Sequence, residues 1–157
     1  MRETLAASDY QALAELRYQL RLFLHFSEHA ARKMGLEPQQ HQLILALKGL
    51  PAGTRPTIGT LAERMQLQHH STVELVNRLS AGGLVRRHRA LEDRRQVLLG
   101  LTTKGEKVLR ELSMGHKAEL RTQGPALVAA LERVTRPAKT AHGLAPNPVS
   151  EPFGEAG

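Results

Sequence analysis

The stretch from Thr57 to Thr102 limits the fold more than any other part of the chain, because it sets four local structures in one order. Leu61, Ala62 and Met65 recur at helical spacing, with Thr57 or a Thr60-x-x-Glu63 capping box marking the start and Thr57-Ile58 expected as a short strand ahead of it. After Leu67-Gln68 a second helix is expected from about His70 to Ala81, with Val73, Val76 and Leu79 packing and Gly82-Gly83 closing it. Two strands follow, Leu84 to Arg89 and Gln96 to Leu101, on either side of the polar turn Leu91-Glu92-Asp93-Arg94-Arg95. Two short helices about a turn and then a cationic hairpin make the order of a winged helix-turn-helix, in which one helix suits a major groove and the hairpin suits a minor groove or phosphates.

The flanks are helical. Ser8 or Asp9 caps a long helix in which Leu13, Leu16, Leu20, Phe23 and Leu24 form one apolar face, continuing to about Lys33 with Gly35 as its stop. Pro38 suits the first turn of a second helix, with Leu43, Ile44 and Leu47 inward and Leu50-Pro51-Ala52-Gly53 breaking it. After the hairpin, a Thr103-x-x-Glu106 capping box opens a helix carrying Val108, Leu109 and Leu112 to about Thr122. Gly124-Pro125 is expected to break it, leaving a last short helix from Ala126 to Val134. From Pro137 the chain is rich in Pro, Gly and Ala with few large apolar residues, and disorder is expected. The expected fold is mainly α with a small β wing. It divides into an N-terminal dimerisation helix (1–36), a winged helix-turn-helix domain (37–102), C-terminal dimerisation helices (103–136) and a tail (137–157).

Charge sharpens the reading. The 157 residues carry a formal net charge of +7. Between Leu84 and Arg110 there are eight basic residues (Arg86, Arg87, Arg89, Arg94, Arg95, Lys104, Lys107, Arg110) against Glu92, Asp93 and Glu106, so most of the excess sits on the hairpin and the helix after it. A polyanion is the matching partner. The absence of cysteine excludes disulfides, thiolate metal ligands and cysteine-based redox sensing. Neither a signal peptide nor a membrane-length apolar run is seen, so a cytoplasmic protein without a membrane partner is expected. Aromatics cluster at Tyr10, Tyr18, Phe23 and Phe26, far from the basic region, which argues against base stacking on single strands. No Gly-rich phosphate loop, nucleophile motif or acid pair with a neighbouring base points to an enzyme, and no cofactor is implied.

At the hairpin, Asp93-x-Arg95 followed by Leu101-Thr102 resembles the signature of the MarR family of multiple-antibiotic-resistance-type regulators. Supporting resemblances are Ile58-Gly59-Thr60-Leu61-Ala62-Glu63-Arg64, Leu75-Val76-Asn77-Arg78-Leu79 and Gly83-Leu84-Val85-Arg86-Arg87, covering roughly Leu36 to Leu112. The resemblance implies a triangular homodimer with the first and last helices as its body and two winged domains on double-stranded DNA. Such a dimer reads a pseudo-palindromic operator with half-sites about 10 bp apart, and is expected to be a repressor released by a small-molecule effector. The effector pocket would lie between body and winged domain, with Tyr18, Phe23, Phe26, His41 and Leu45 as candidates.

On DNA, the start of the second helix offers His69, His70, Ser71, Thr72, Val73 and Glu74 to the major groove, where Glu74 can accept from a cytosine amino group. Relatives often carry a basic residue at the Glu74 position, so base preference does not carry over. The bland alternative leaves Glu74 in solvent or paired with Arg78. Arg94 and Arg95 suit a narrow minor groove or phosphate. Asp93 is expected to orient one of them, while Arg78, Arg86 and Arg87 are expected on phosphates. His25 and His29, four apart on one helix face, make a zinc-responsive regulator or a metal hydrolase an alternative, with His41 and His116 as further ligands. A winged-helix protein-interaction adaptor is a third reading.

Overall fold

The computed structural model describes residues 4–136, so the tail expected beyond Pro137 lies outside the described residues. The order is α1 (Ala7–Lys33), α2 (Pro38–Lys48), α3 (Ile58–Met65), α4 (His69–Ala81), β1 (Val85–Arg89), β2 (Val97–Leu101) and α5 (Thr103–Thr135). The strands pair antiparallel from Val85 opposite Leu101 to Arg89 opposite Val97. The fold is a winged helix-turn-helix between two long helices.

Several local expectations are corrected. α1 is capped by neither Ser8 nor Asp9. Ala6 holds the cap position and its amide donates to Asp9 Oδ2 at 2.7 Å, so the aspartate acts from inside the first turn. Thr57-Ile58 forms no strand, because Thr57 Oγ1 accepts from the Thr60 amide at 3.1 Å and Ile58 opens α3. Among the described residues, the one backbone hydrogen bond from that loop to a strand is from the Leu99 amide to the Pro56 carbonyl, 2.8 Å. The turn between α3 and α4 places Gln66 at φ 53°, where its side-chain amide donates to the Glu63 carbonyl at 2.8 Å. A left-handed non-glycine residue costs about 1 kcal/mol, offset here by that bond.

α5 departs most from expectation. Its cap is Thr102, whose Oγ1 accepts from the Gly105 amide at 3.0 Å, and Glu106 instead meets Lys48 at 2.7 Å. The helix then runs unbroken through Gly124 and Pro125, so one helix stands where two were expected. Proline removes one bond, to the Arg121 carbonyl, and crowds that turn. α1 lies along α5 in the most extensive helix packing among the described residues, and that tertiary support outweighs the local break.

The core is one cluster drawn from every element, with Leu43, Ile44, Leu61, Val76, Leu79 and Leu99 at its centre. In α4 the inward positions are Thr72, Leu75, Val76 and Leu79, so the packing face is turned from the expected one and Val73 is only half-buried. Gly83, at φ 72°, ends α4 in the left-handed conformation and lets the Leu84 amide bond the Leu79 carbonyl at 2.9 Å. The chain is then sewn to the start of α5. Leu84 carbonyl accepts from the Thr102 amide at 3.1 Å, Thr102 Oγ1 donates to the Gly83 carbonyl, and Lys104 Nζ donates to the Gly82 carbonyl at 3.0 Å. A Cβ on Gly105 would lie 2.2 Å from the Leu84 carbonyl oxygen, so only glycine permits this approach.

Where α1, α2 and α5 meet, two imidazoles face each other. His41 of α2 and His116 of α5 have ring centroids 4.8 Å apart, and Phe23 and Phe26 lie T-shaped to His116 with centroids 6.0 and 5.5 Å away. His116 Nδ1 lies 2.6 Å from the Leu112 carbonyl, which only accepts, so Nδ1 carries the proton. A neutral His116 then accepts at Nε2 from Ser27 Oγ, 2.7 Å away. His41 is buried and its Nε2 has no hydrogen-bond partner among the described residues. Burial, reinforced by the neighbouring His116, lowers its pKa from 6.5 to about 4.

Stability should therefore fall on acidification. An unfolded His41 takes its proton near pH 6.5 and the folded one only near 4, so the stabilisation is full above about pH 6.5 and lost progressively as the pH drops to about 4. Urea unfolding is expected to show a loss of about 2 kcal/mol between pH 7 and pH 5 that His41→Leu removes. An equal loss in that variant would place the cause elsewhere.

Candidate nucleic-acid interface

The exposed start of α4 lies at one side of the β hairpin, and the two are tied directly: Arg87 Nη2 donates to Asn77 Oδ1 at 2.6 Å. His69, His70, Glu74, Asn77 and Arg78 are exposed, and Ser71 and Val73 are half-buried. Thr72 does not belong with them. It is fully buried and its hydroxyl donates to the Gln68 carbonyl at 3.1 Å, which corrects its expected place in the major groove. The expectation failed because threonine was read by its polarity, whereas its position one turn before Val76 faces inward. Glu74 makes no ion pair with Arg78 among the described residues.

Arg86 and Arg87 are not equivalent. Alternation along β1 sends them to opposite faces of the hairpin, Arg87 toward α4 and Arg86 beside His88 over Gly100. Only Arg87 is joined to the recognition helix. At the tip, Asp93 Oδ1 accepts from the Arg95 amide at 2.9 Å, so this carboxylate fixes the arginine's backbone instead of its guanidinium. Arg89 Nη1 donates to the Arg94 carbonyl at 2.8 Å. The Arg94 and Arg95 side chains are exposed and have no hydrogen-bond or ion-pair partner among the described residues.

Two contributors escaped the sequence reading. Arg55, in the loop before α3, reaches across to the hairpin, pairing with Glu92 at 2.8 Å and donating to Gln96 Oε1. Asn77 holds Arg87. Both join different elements, and no local spacing signals them. Basic side chains therefore line the hairpin while its acids are engaged within the chain, the polarity that attracts a phosphate backbone.

The pocket candidates separate. A cavity of about 540 Å3 opens between α2 and α5, lined by Leu45, Leu109 and Ser113 with Lys48, Lys107, Arg110 and Glu106. Of the expected residues only Leu45 lines it. Phe23, Phe26 and His41 belong to the imidazole cluster, and Tyr18 is exposed on α1. A residue's helix is legible in sequence, whereas its neighbours across helices depend on packing. His25 and His29 are both exposed, and no group of three or more His, Asp or Glu that could hold a metal ion occurs among the described residues. The expected further ligands, His41 and His116, are used in packing. No helix among the described residues is long and apolar enough to cross a membrane.

The MarR family model matches residues 34–96, which span α2, the helix-turn-helix and the hairpin tip. No curated protein matches the chain. Among solved structures, AbsC, a MarR family transcriptional regulator from Streptomyces coelicolor, is 22% identical at a TM-score of 0.67, covering 83% of this chain and 91% of that one. A mutant of S. aureus MepR bound to an oligodeoxyribonucleotide is 19% identical at 0.59, covering 74% and 82%. YusO from Bacillus subtilis is 22% identical at 0.58, covering 82% and 99%. At these identities the likeness is one of fold.

The Arg55 brace gives a direct test. Arg55→Ala is expected to change global stability by no more than about 0.5 kcal/mol, since both partners are solvent-exposed. Amide hydrogen exchange at Ala90 and Gln96, which close the tip, should nonetheless accelerate. Unchanged exchange there would show that the tip holds its shape without the brace.

Proposed function

We propose, from the MarR family match over residues 34–96, that this chain is a sequence-specific, double-stranded-DNA-binding transcription regulator that works as a homodimeric repressor released by a small molecule. The observation that carries the reading is the pairing of an exposed α4 start with a hairpin tip whose Arg94 and Arg95 side chains are unengaged. A solved relative of the same fold, the S. aureus MepR mutant, is bound to an oligodeoxyribonucleotide. In this reading His69, His70, Ser71, Val73 and Glu74 meet base edges. Arg78, Arg86 and Arg87 meet phosphates, and Arg94 and Arg95 enter the minor groove. No step of it requires catalysis.

Dimerisation is supported by apolar residues that a single chain leaves uncovered on its two long helices. Tyr10, Leu13, Tyr18 and Leu24 of α1 are exposed, as are Met114, Val128 and Leu131 of α5. Two such faces together form a two-fold interface. The division into dimer body and winged domain follows from the same faces. Release by an effector is supported by the cavity between α2 and α5, which lies where the winged domain joins the long helices. A ligand there acts by binding better to a conformation whose recognition helices are wrongly spaced for DNA.

Selection of bound sequences from a random duplex pool at near-physiological salt tests the reading. It should return a pseudo-palindrome with half-sites about 10 bp apart. On that site, Arg95→Ala should weaken binding and reduce the salt dependence by roughly one counterion. Recovery of no motif, with binding only at low salt, would leave an adaptor or a non-specific basic protein.

A further inference from the structure

The hairpin tip also carries a large apolar side chain with nothing to pack on. Leu91 is 98% exposed, the most exposed large hydrophobic residue described, while Ala90 beside it is buried at 3%. Solvated turns favour Gly, Asn, Asp, Ser and Pro, so leucine is an unusual choice at a tip that the fold does not use. Its mounting is firm. The Ala90 amide bonds the Gln96 carbonyl and the Gln96 amide the Asp93 carbonyl, each at 3.0 Å, while Arg55 holds Glu92 from the side.

The acids of the tip are engaged within the chain, Glu92 on Arg55 and Asp93 on the Arg95 amide. Alongside these exposed but internally bonded acids, the tip offers one apolar side chain, Leu91, and two guanidiniums, of Arg94 and Arg95, without an ion-pair partner among the described residues. The minor groove of duplex DNA has the complementary chemistry. Its walls are sugar C–H groups, its potential is strongly negative, and apolar side chains are used there as wedges beside arginine. A protein partner of ordinary apolar character would be repelled by the unneutralised guanidiniums once they were desolvated.

Resting on the regulator reading above, we propose that Leu91 is a DNA-contacting residue, inserted into the minor groove of the operator beside Arg94 and Arg95. The arginines supply attraction dependent on salt, and the leucine supplies apolar contact independent of it. Because it contacts the groove floor, Leu91 makes the complex sensitive to groups that fill the floor, an element of specificity that phosphate contacts lack.

The experiment uses full-length protein and the duplex recovered by selection. Leu91→Ala should leave thermal unfolding unchanged, because the side chain packs on nothing in the free protein. It should weaken operator binding roughly tenfold while leaving the logarithmic salt slope of the wild type intact, in contrast to Arg95→Ala. Replacing adenine by 2,6-diaminopurine under the wing, which adds an amino group to the minor groove, should weaken wild-type binding and have little further effect on Leu91→Ala. Wild-type affinity in Leu91→Ala, a flattened salt slope, or equal sensitivity of both proteins to diaminopurine would overturn the assignment. Failure of the wild type to bind any selected duplex would instead overturn the regulator reading itself, and this assignment with it.

Discussion

Helix α2 is the constraint on which the rest depends. It has only eleven residues, yet it packs against α1, α3, α4, β2 and α5, and its Leu43 and Ile44 are wholly excluded from solvent. A short helix in that position cannot slide along its axis without opening voids on several sides at once, since interiors are packed at crystal-like density. The helix-turn-helix on one side and the long helices on the other take their relative position from it. The imidazole cluster and the cavity both border α2, so both touch the same short helix.

Much of this was legible in the residues. The winged unit declares itself because each of its parts has a local cause: Thr57 as a cap, Gly83 as a left-handed stop, and two short strands about a polar turn. The MarR resemblance at Asp93, Arg95 and the flanking motifs coincides with the family match, and the fold class follows. What went unread depended on partners distant in the chain. Pro125 lies inside α5, a helix that packs along α1, which no local spacing announces, and the burial of Thr72 is set by the phase of α4 against the core. Arg55 and Asn77 matter only once the hairpin has folded against them. The cavity likewise falls between helices that are each recognisable alone but whose facing residues are not.

Acidic and basic residues in the wing have divided tasks. Glu92 and Asp93 are spent on internal contacts, one with a side chain and one with a backbone amide, which gives a tip of fixed shape. Of the two, Glu92 has its charge balanced by the Arg55 guanidinium, while Asp93 is bound by a neutral amide and keeps its charge at the tip. The outward polarity of the tip is set by the guanidiniums of Arg94 and Arg95, which have no ion-pair partner among the described residues.

The seam at Gly105 has a mechanical meaning. With the Leu84 carbonyl against the first turn of α5, and with bonds from Thr102 and Lys104 to the end of α4, the hairpin and recognition helix are fastened to one end of a 33-residue rod. At a rise of 1.5 Å per residue that rod is about 50 Å long. A tilt of about 5° at its far end displaces the fastened end by about 4 Å, already larger than a hydrogen bond is long. In the proposed dimer, small rotations where two such rods meet are magnified at the ends that carry the recognition helices.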